Sequence, residues 1–193
     1  MQKFVKRLNY RQLLKVFPSI ALALLPVSGN ADNYAAQIKS AQLRQTENGC
    51  ELSAEILYPL SPDSKEALDK GVPLAWNLLI NINKVGWLFN SKVFEQSLSY
   101  VLQFHALLKQ YEVKSPQHSQ EMFLSLNTAL NDMANVHVLL NADAICAPQD
   151  TEYELEIKTE FNREILPAPL RPETYINNQW FLSSDWYIWP IPK

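Results

Sequence analysis

Histidine and serine are the residue types in this chain whose chemistry could support catalysis. His105, His118 and His137 each lack a second histidine or a cysteine at metal-ligand spacing. Ser183-Ser184-Asp185 could pair a nucleophile with a carboxylate, but a nucleophile elbow needs glycine, and the C-terminal third has none. We therefore predict no catalytic residues, no metal site and no cofactor, and we interpret the triplet as a polar turn between two aromatic strands. A hydrolase that uses His105 or His118 with Asp185 is the alternative hypothesis.

Four aromatic residues near the end of the sequence are the candidates for ligand binding. Aromatic rings stack on glycans and contact peptides, so a binding platform is one interpretation. The other is that these rings form the core and rim of a β-sandwich. Trp87 and Phe89, which follow Gly86, are open to the same two interpretations. The four residues are Trp180, Trp186, Tyr187 and Trp189.

The first 31 residues have the pattern of an export signal. Five basic residues and no acidic residue accompany an apolar run over 16–27, which is shorter than the roughly 20 residues that span a bilayer. Small residues at Ser28-Gly29-Asn30-Ala31 predict cleavage after Ala31. We expect a signal peptide at 1–31, one periplasmic or secreted domain at 32–193, and no stable membrane insertion after cleavage. An uncleaved anchor is the alternative.

Cleavage at that point would make the remaining chain clearly acidic. The formal net charge changes from −3 to −8, because five of the 17 basic residues and none of the 20 acidic residues lie in the leader. Nucleic acids and anionic membranes are bound through clustered lysine and arginine. The charge therefore predicts no nucleic-acid partner.

The two cysteines are predicted to form a disulfide, on the basis of the exported location. A bond between Cys50 and Cys146 would close a loop of about 96 residues, which the chain-entropy account values at roughly 4–5 kcal/mol at most. Two buried thiols that never meet are the alternative.

Alternating apolar and polar residues predict several β-strands. Residues 76–82 place four large apolar side chains on one face and asparagines on the other, the period of a half-buried strand. Residues 153–161 alternate in the same way, and their glutamates predict a solvated outer face, with a basic partner or calcium as the alternative. The four apolar side chains are Trp76, Leu78, Ile80 and Ile82.

Two short helices interrupt the strands. Ser61 and Pro62 predict a helix start, and Gly71 predicts its end after Lys70. Ser125 precedes a second apolar stripe at helical spacing. With no regular β-α alternation, the sequence predicts a mainly β, antiparallel β-sandwich-like (α+β) single domain with two short helices.

Several blocks in order resemble a family of exported proteobacterial proteins known as domain of unknown function 4390. The resemblance covers nearly all of the chain after the leader, and LSSDW is its most specific part. The blocks are ALDKGVPL (67–74), LQFHALLKQYEV (102–113), the helix at 123–130, LPAPL (166–170) and WFLSSDW (180–186).

The resemblance implies a secreted accessory protein. Members of that family are often encoded beside a nitrogen-type sensor kinase and its response regulator, so the resemblance also implies a role in envelope sensing. The family usually has arginines after the strand that matches 76–82, where this chain has KVGWLFN at 84–90. Neither cysteine belongs to the family pattern, so the disulfide would be a local addition.

We expect an exported, non-catalytic binding or accessory protein of the cell envelope, with an envelope protein as the class of partner. A periplasmic hydrolase of unknown substrate and a structural scaffold in envelope assembly are the two alternatives.

Overall fold

Two antiparallel sheets hold the nine strands that lie in the described part of the chain. The structure, a computed structural model, describes residues 33–47, 49–141 and 151–191. The predicted leader (1–31) and Cys146 lie outside these residues. The strands are β1 (Gln37–Thr46), β2 (Gly49–Leu57), β3 (Leu74–Lys84), β4 (Ser91–His105), β5 (Gln110–Lys114), β6 (Glu121–Phe123), β7 (Asn135–Leu140), β8 (Tyr153–Phe161) and β9 (Tyr187–Ile191).

The larger sheet has the order β6-β5-β4-β3-β8-β9 and is built around β3. Every apolar side chain of the predicted alternation on β3 is fully buried, which confirms that face. The opposite face is less open than the alternation suggests, because Asn81 and Asn83 are also buried. In register, Asn81 lies between Glu95 of β4 and Glu156 of β8, so longer side chains flank a short one on both sides.

The smaller sheet has the order β1-β2-β7 and supplies the second layer. Its β2 alternates as a one-sided strand, with Leu52, Ala54 and Ile56 buried in the same hydrophobic cluster as Trp76 of β3. Two antiparallel sheets whose apolar faces meet in one core form a sandwich. The prediction of a mainly β single domain is confirmed.

Three helices lie in the described residues, one more than predicted: α1 (Pro62–Asp69), α2 (Leu126–Ala134) and α3 (Glu173–Ile176). The Oγ atoms of Ser61 and Ser125 accept hydrogen bonds from backbone N–H groups at the first turns of α1 and α2, as predicted. Gly71 closes α1 at a φ of 84°. The third helix spans four residues, too few to show an apolar period in the sequence.

Of the two predicted C-terminal aromatic strands, the second is present and the first is wrong. Only β9 is a strand, whereas Trp180 ends a 3₁₀ turn over Asn178–Trp180. The turn forms because the Oδ1 atom of Asn177 accepts the Gln179 N–H at 3.0 Å, an arrangement that competes with extended pairing.

The predicted disulfide stays a prediction. Cys50 is fully buried on β2, where it pairs with Leu140 of β7. We expect thiol titration of the unfolded, unreduced protein to find no free thiol, and reduction to lower the free energy of unfolding by at most about 4–5 kcal/mol. The C50A/C146A double variant is the control, since reduction should leave its stability unchanged. Two titratable thiols per chain would contradict the prediction.

Candidate functional site

The three histidines lie on separate elements and do not form one site. His105 ends β4, His118 lies in the turn before β6, and His137 is on β7. The Nε2 atom of His105 is 2.7 Å from the Oε2 atom of Glu112, a buried carboxylate that also pairs with Lys114. Burial alone would raise the pKa of Glu112, but the hydrogen bonds from His105 and Lys114 outweigh it and keep that pKa below its ordinary value.

Within the described residues, His137 is the histidine whose imidazole ring contacts both a serine side chain and a carboxylate. Its Nδ1 atom is 3.3 Å from Ser53 Oγ and 3.8 Å from Glu51 Oε1. In a catalytic triad the nucleophile and the carboxylate contact opposite ring nitrogens, so that one proton can move through the imidazole. Here both groups compete for the same nitrogen on an exposed strand face. The arrangement cannot work as a proton relay.

The Ser183-Ser184-Asp185 triplet has a structural role that its sequence does not reveal. Ser183 Oγ accepts the N–H of Phe161, and Ser184 Oγ accepts the N–H of Thr159, each at 2.9 Å. Both donors lie on β8 beyond its pairing with β9. The two hydroxyls therefore continue the edge of the sheet, and the triplet is an extended segment fixed to β8 rather than a turn.

The four aromatic residues predicted to bind a ligand lie in different surroundings. Trp180 is 2% exposed, and its ring packs 6.0 Å from Phe161. Tyr187 and Trp189 are partly buried against the core, while Trp186 is 45% exposed. The Lys158 ammonium lies 5.8 Å from the Trp186 ring, on the outer face of the sheet. Trp180 is therefore not available to an exposed platform, and ligand binding by Trp186, Tyr187 and Trp189 stays a prediction.

Residues 85–90, the hairpin tip that joins β3 to β4, carry three consecutive large apolar side chains that are exposed. Trp87 is 96% exposed, Leu88 63% and Phe89 80%. Loops of this kind normally carry polar residues, and contiguous exposed apolar patches mark interaction sites. The sequence indicated only that Trp87 and Phe89 were ambiguous, although three consecutive apolar residues at a turn were a usable signal.

The hairpin tip has a defined shape. Gly86 donates its N–H to the Asn90 side chain at 3.3 Å. A Cβ atom at Gly86 would overlap the Phe89 carbonyl oxygen, so the turn closes only with glycine at this position. Val85 donates its N–H to the Glu152 carbonyl at 2.9 Å, which fixes the base of the tip to the chain entering β8.

A groove of about 430 Å³ opens beside the base of the hairpin tip. Its lining is apolar, from Val85, Pro190 and Ile191, and acidic, from Glu152 and Glu154. A second cleft of about 240 Å³ lies between α1 and α3, below the roughly 300–1,000 Å³ usual for small-molecule sites. Of these two cavities, the groove beside the hairpin tip is the better candidate for binding.

None of the described helices combines the length and apolarity needed to cross a bilayer. The sequence model of the family described as Domain of unknown function (DUF4390) matches residues 34–190. The comparisons with curated proteins and with solved structures gave no match.

Proposed function

We propose that this chain, which belongs to the DUF4390 family, is an exported, non-catalytic binding protein of the cell envelope. The description of the family states no activity, so the proposal is based on the surface of the chain itself. The observation that carries the proposal is the exposed apolar hairpin tip. Export is supported by the basic head and the short apolar run of residues 1–31.

Binding rather than catalysis is favoured by the surroundings of the polar groups. The Ser53, Glu51 and His137 contacts share one ring nitrogen, and the hydroxyls of Ser183 and Ser184 are committed to the edge of β8. By contrast, the three apolar side chains of the tip contribute little to the core while facing water. Their burial would contribute free energy only in a complex.

The proposed occupant is a protein with an apolar pocket bordered by basic groups. Trp87 and Phe89 would enter the pocket, and the partner's basic groups would face Glu152 and Glu154 in the adjacent groove. An anionic lipid surface is disfavoured, because the chain without its leader has a formal charge of −8, with 12 basic and 20 acidic residues. The family resemblance makes the extracytoplasmic domain of a sensor kinase the first partner to test.

Site-specific photo-crosslinking in cells tests this proposal. A photoreactive phenylalanine at position 87 is expected to form an adduct with a protein that co-fractionates with the periplasm or inner membrane. The matched control places the same group at Leu107, which is fully exposed in the turn after β4. The two positions are separated by the 15 residues of β4, which span about 50 Å.

Adducts of equal yield at positions 87 and 107 would show non-specific contact and would contradict the proposal. If position 87 formed adducts with lipids alone, the ligand of the hairpin tip would be a membrane, and the proposed protein partner would be contradicted. Recovery of the protein only from the cytoplasm would remove the premise of export.

A further inference from the structure

Three potential metal ligands converge at a place remote in sequence from the hairpin tip. His118, Glu121 and Asp132 each offer one ligand atom, and these atoms all lie within 4.8 Å of one another. The Nε2 atom of His118 is 3.8 Å from the Oε2 atom of Glu121. No other such group of three occurs within the ranges that the structure describes.

Each of the three ligands is held by a different element. The Ser115 N–H donates to the His118 carbonyl at 2.9 Å, and the His118 N–H donates to Ser115 Oγ at 3.1 Å, which fixes a turn that also contains Pro116. Glu121 begins β6, and Asp132 lies in the last turn of α2. The backbone therefore holds the three residues close together, while their side chains can still adjust.

The helix that carries Asp132, α2, packs against the hydrophobic core. Ala129 and Met133 of α2 are fully buried, and Ser125 caps its first turn. Glu121 and Asp132 each place a carboxylate oxygen within 4.8 Å of the other. Two carboxylates that face each other in this way repel, and a divalent cation between them would relieve that repulsion.

The ligand types favour a transition metal such as zinc over calcium or magnesium. One imidazole nitrogen and two carboxylate oxygens suit zinc, whereas calcium and magnesium prefer oxygen ligands alone. Nitrogen and oxygen ligand atoms around tetrahedral zinc lie roughly 3.3–3.6 Å apart, because their bonds to the metal are about 2.0–2.2 Å long. The 3.8 Å separation of the His118 and Glu121 atoms is close to that range, and both side chains are exposed enough to rotate.

We propose that His118, Glu121 and Asp132 form a zinc site with a fourth position open to water or to a ligand group from another molecule. The proposal differs from the sequence prediction of no metal site. The sequence did not indicate the site, because the spacing of His118 and Glu121 is not diagnostic in a turn and Asp132 lies on another element. The zinc proposal is independent of the function proposed for the hairpin tip.

Calorimetric titration of the purified, tag-free protein with zinc chloride tests the proposal. We expect one zinc ion per chain. H118Q and D132N should each weaken binding at least about 10-fold, since losing even an outer partner of a metal ligand costs roughly 10–100-fold. Thermal unfolding of each variant without zinc establishes that it is folded.

H137Q is the matched control, because the Nδ1 atom of His137 and the Oε1 atom of Glu51 are also 3.8 Å apart, but without a third ligand among the described residues. It should bind zinc as tightly as the unmodified protein. The proposal is overturned by the absence of one-to-one binding, by unchanged affinity in folded H118Q, or by an equal loss in H137Q.

Discussion

Replacing Trp87 and Phe89 together with serine is expected to weaken binding of the crosslinked partner at least about 100-fold, while the free energy of unfolding stays nearly constant. Two large apolar side chains buried in a complex contribute roughly 1.5–3 kcal/mol each, and 1.4 kcal/mol corresponds to a factor of about ten in affinity. In the free protein both rings face solvent, and surface changes usually alter stability by less than about 0.5 kcal/mol.

The measurement compares dissociation constants by calorimetry and unfolding free energies by urea titration. The double variant L107S/L108S is the control, because it removes two exposed leucines from the turn at the other end of β4. It should bind the partner normally. An affinity loss smaller than about threefold in the tip variant, or an equal loss in the control, would exclude the hairpin tip as the binding element.

The parts of the fold that were predictable are those set by local pattern. Trp76 and Ile80 alternate with polar residues on β3, and a strand with that period must bury one face. Ser61 and Pro62 begin α1 because the hydroxyl and the fixed proline φ both suit a first helical turn. In both cases the cause lies within a few residues of its effect.

The surroundings of individual side chains could not be predicted in the same way. Trp180 and Trp186 have the same residue type and lie six positions apart, yet one is in the core and the other on the surface. Their burial depends on tertiary packing: Trp180 lies in the 3₁₀ turn that Asn177 caps, and its ring packs against Phe161 of β8. Local sequence does not contain that information.

The candidate sites show the same division. The hairpin tip is one continuous segment, so its apolar run could be read from the sequence. The convergence of His118, Glu121 and Asp132 depends on α2 packing beside β6, a tertiary contact that spacing along the chain does not encode. A site assembled from several elements becomes visible only in the folded protein.

Trp76→Ala is expected to lower the free energy of unfolding by about 3–5 kcal/mol, the range for removing a large aromatic side chain from a core. Trp76 is fully buried, with its ring centroid 5.2 Å from that of Tyr58 and 5.4 Å from that of Phe161. Its Nε1 atom also donates a hydrogen bond to the Leu182 carbonyl at 3.1 Å. The indole thus joins the central strand to the chain that leads into β9.

Trp87→Ala is the matched control for this prediction, because it removes the same side chain from a position that is 96% exposed. Urea unfolding should give a change of less than about 0.5 kcal/mol for it.

Trp76→Phe separates packing from hydrogen bonding. It keeps an aromatic ring but loses the indole donor, although the Leu182 carbonyl still accepts the Ala36 N–H at 3.4 Å. We therefore expect Trp76→Phe to be less destabilising than Trp76→Ala. Equal stability of Trp76→Ala and Trp87→Ala would contradict the placement of Trp76 at the centre of the core.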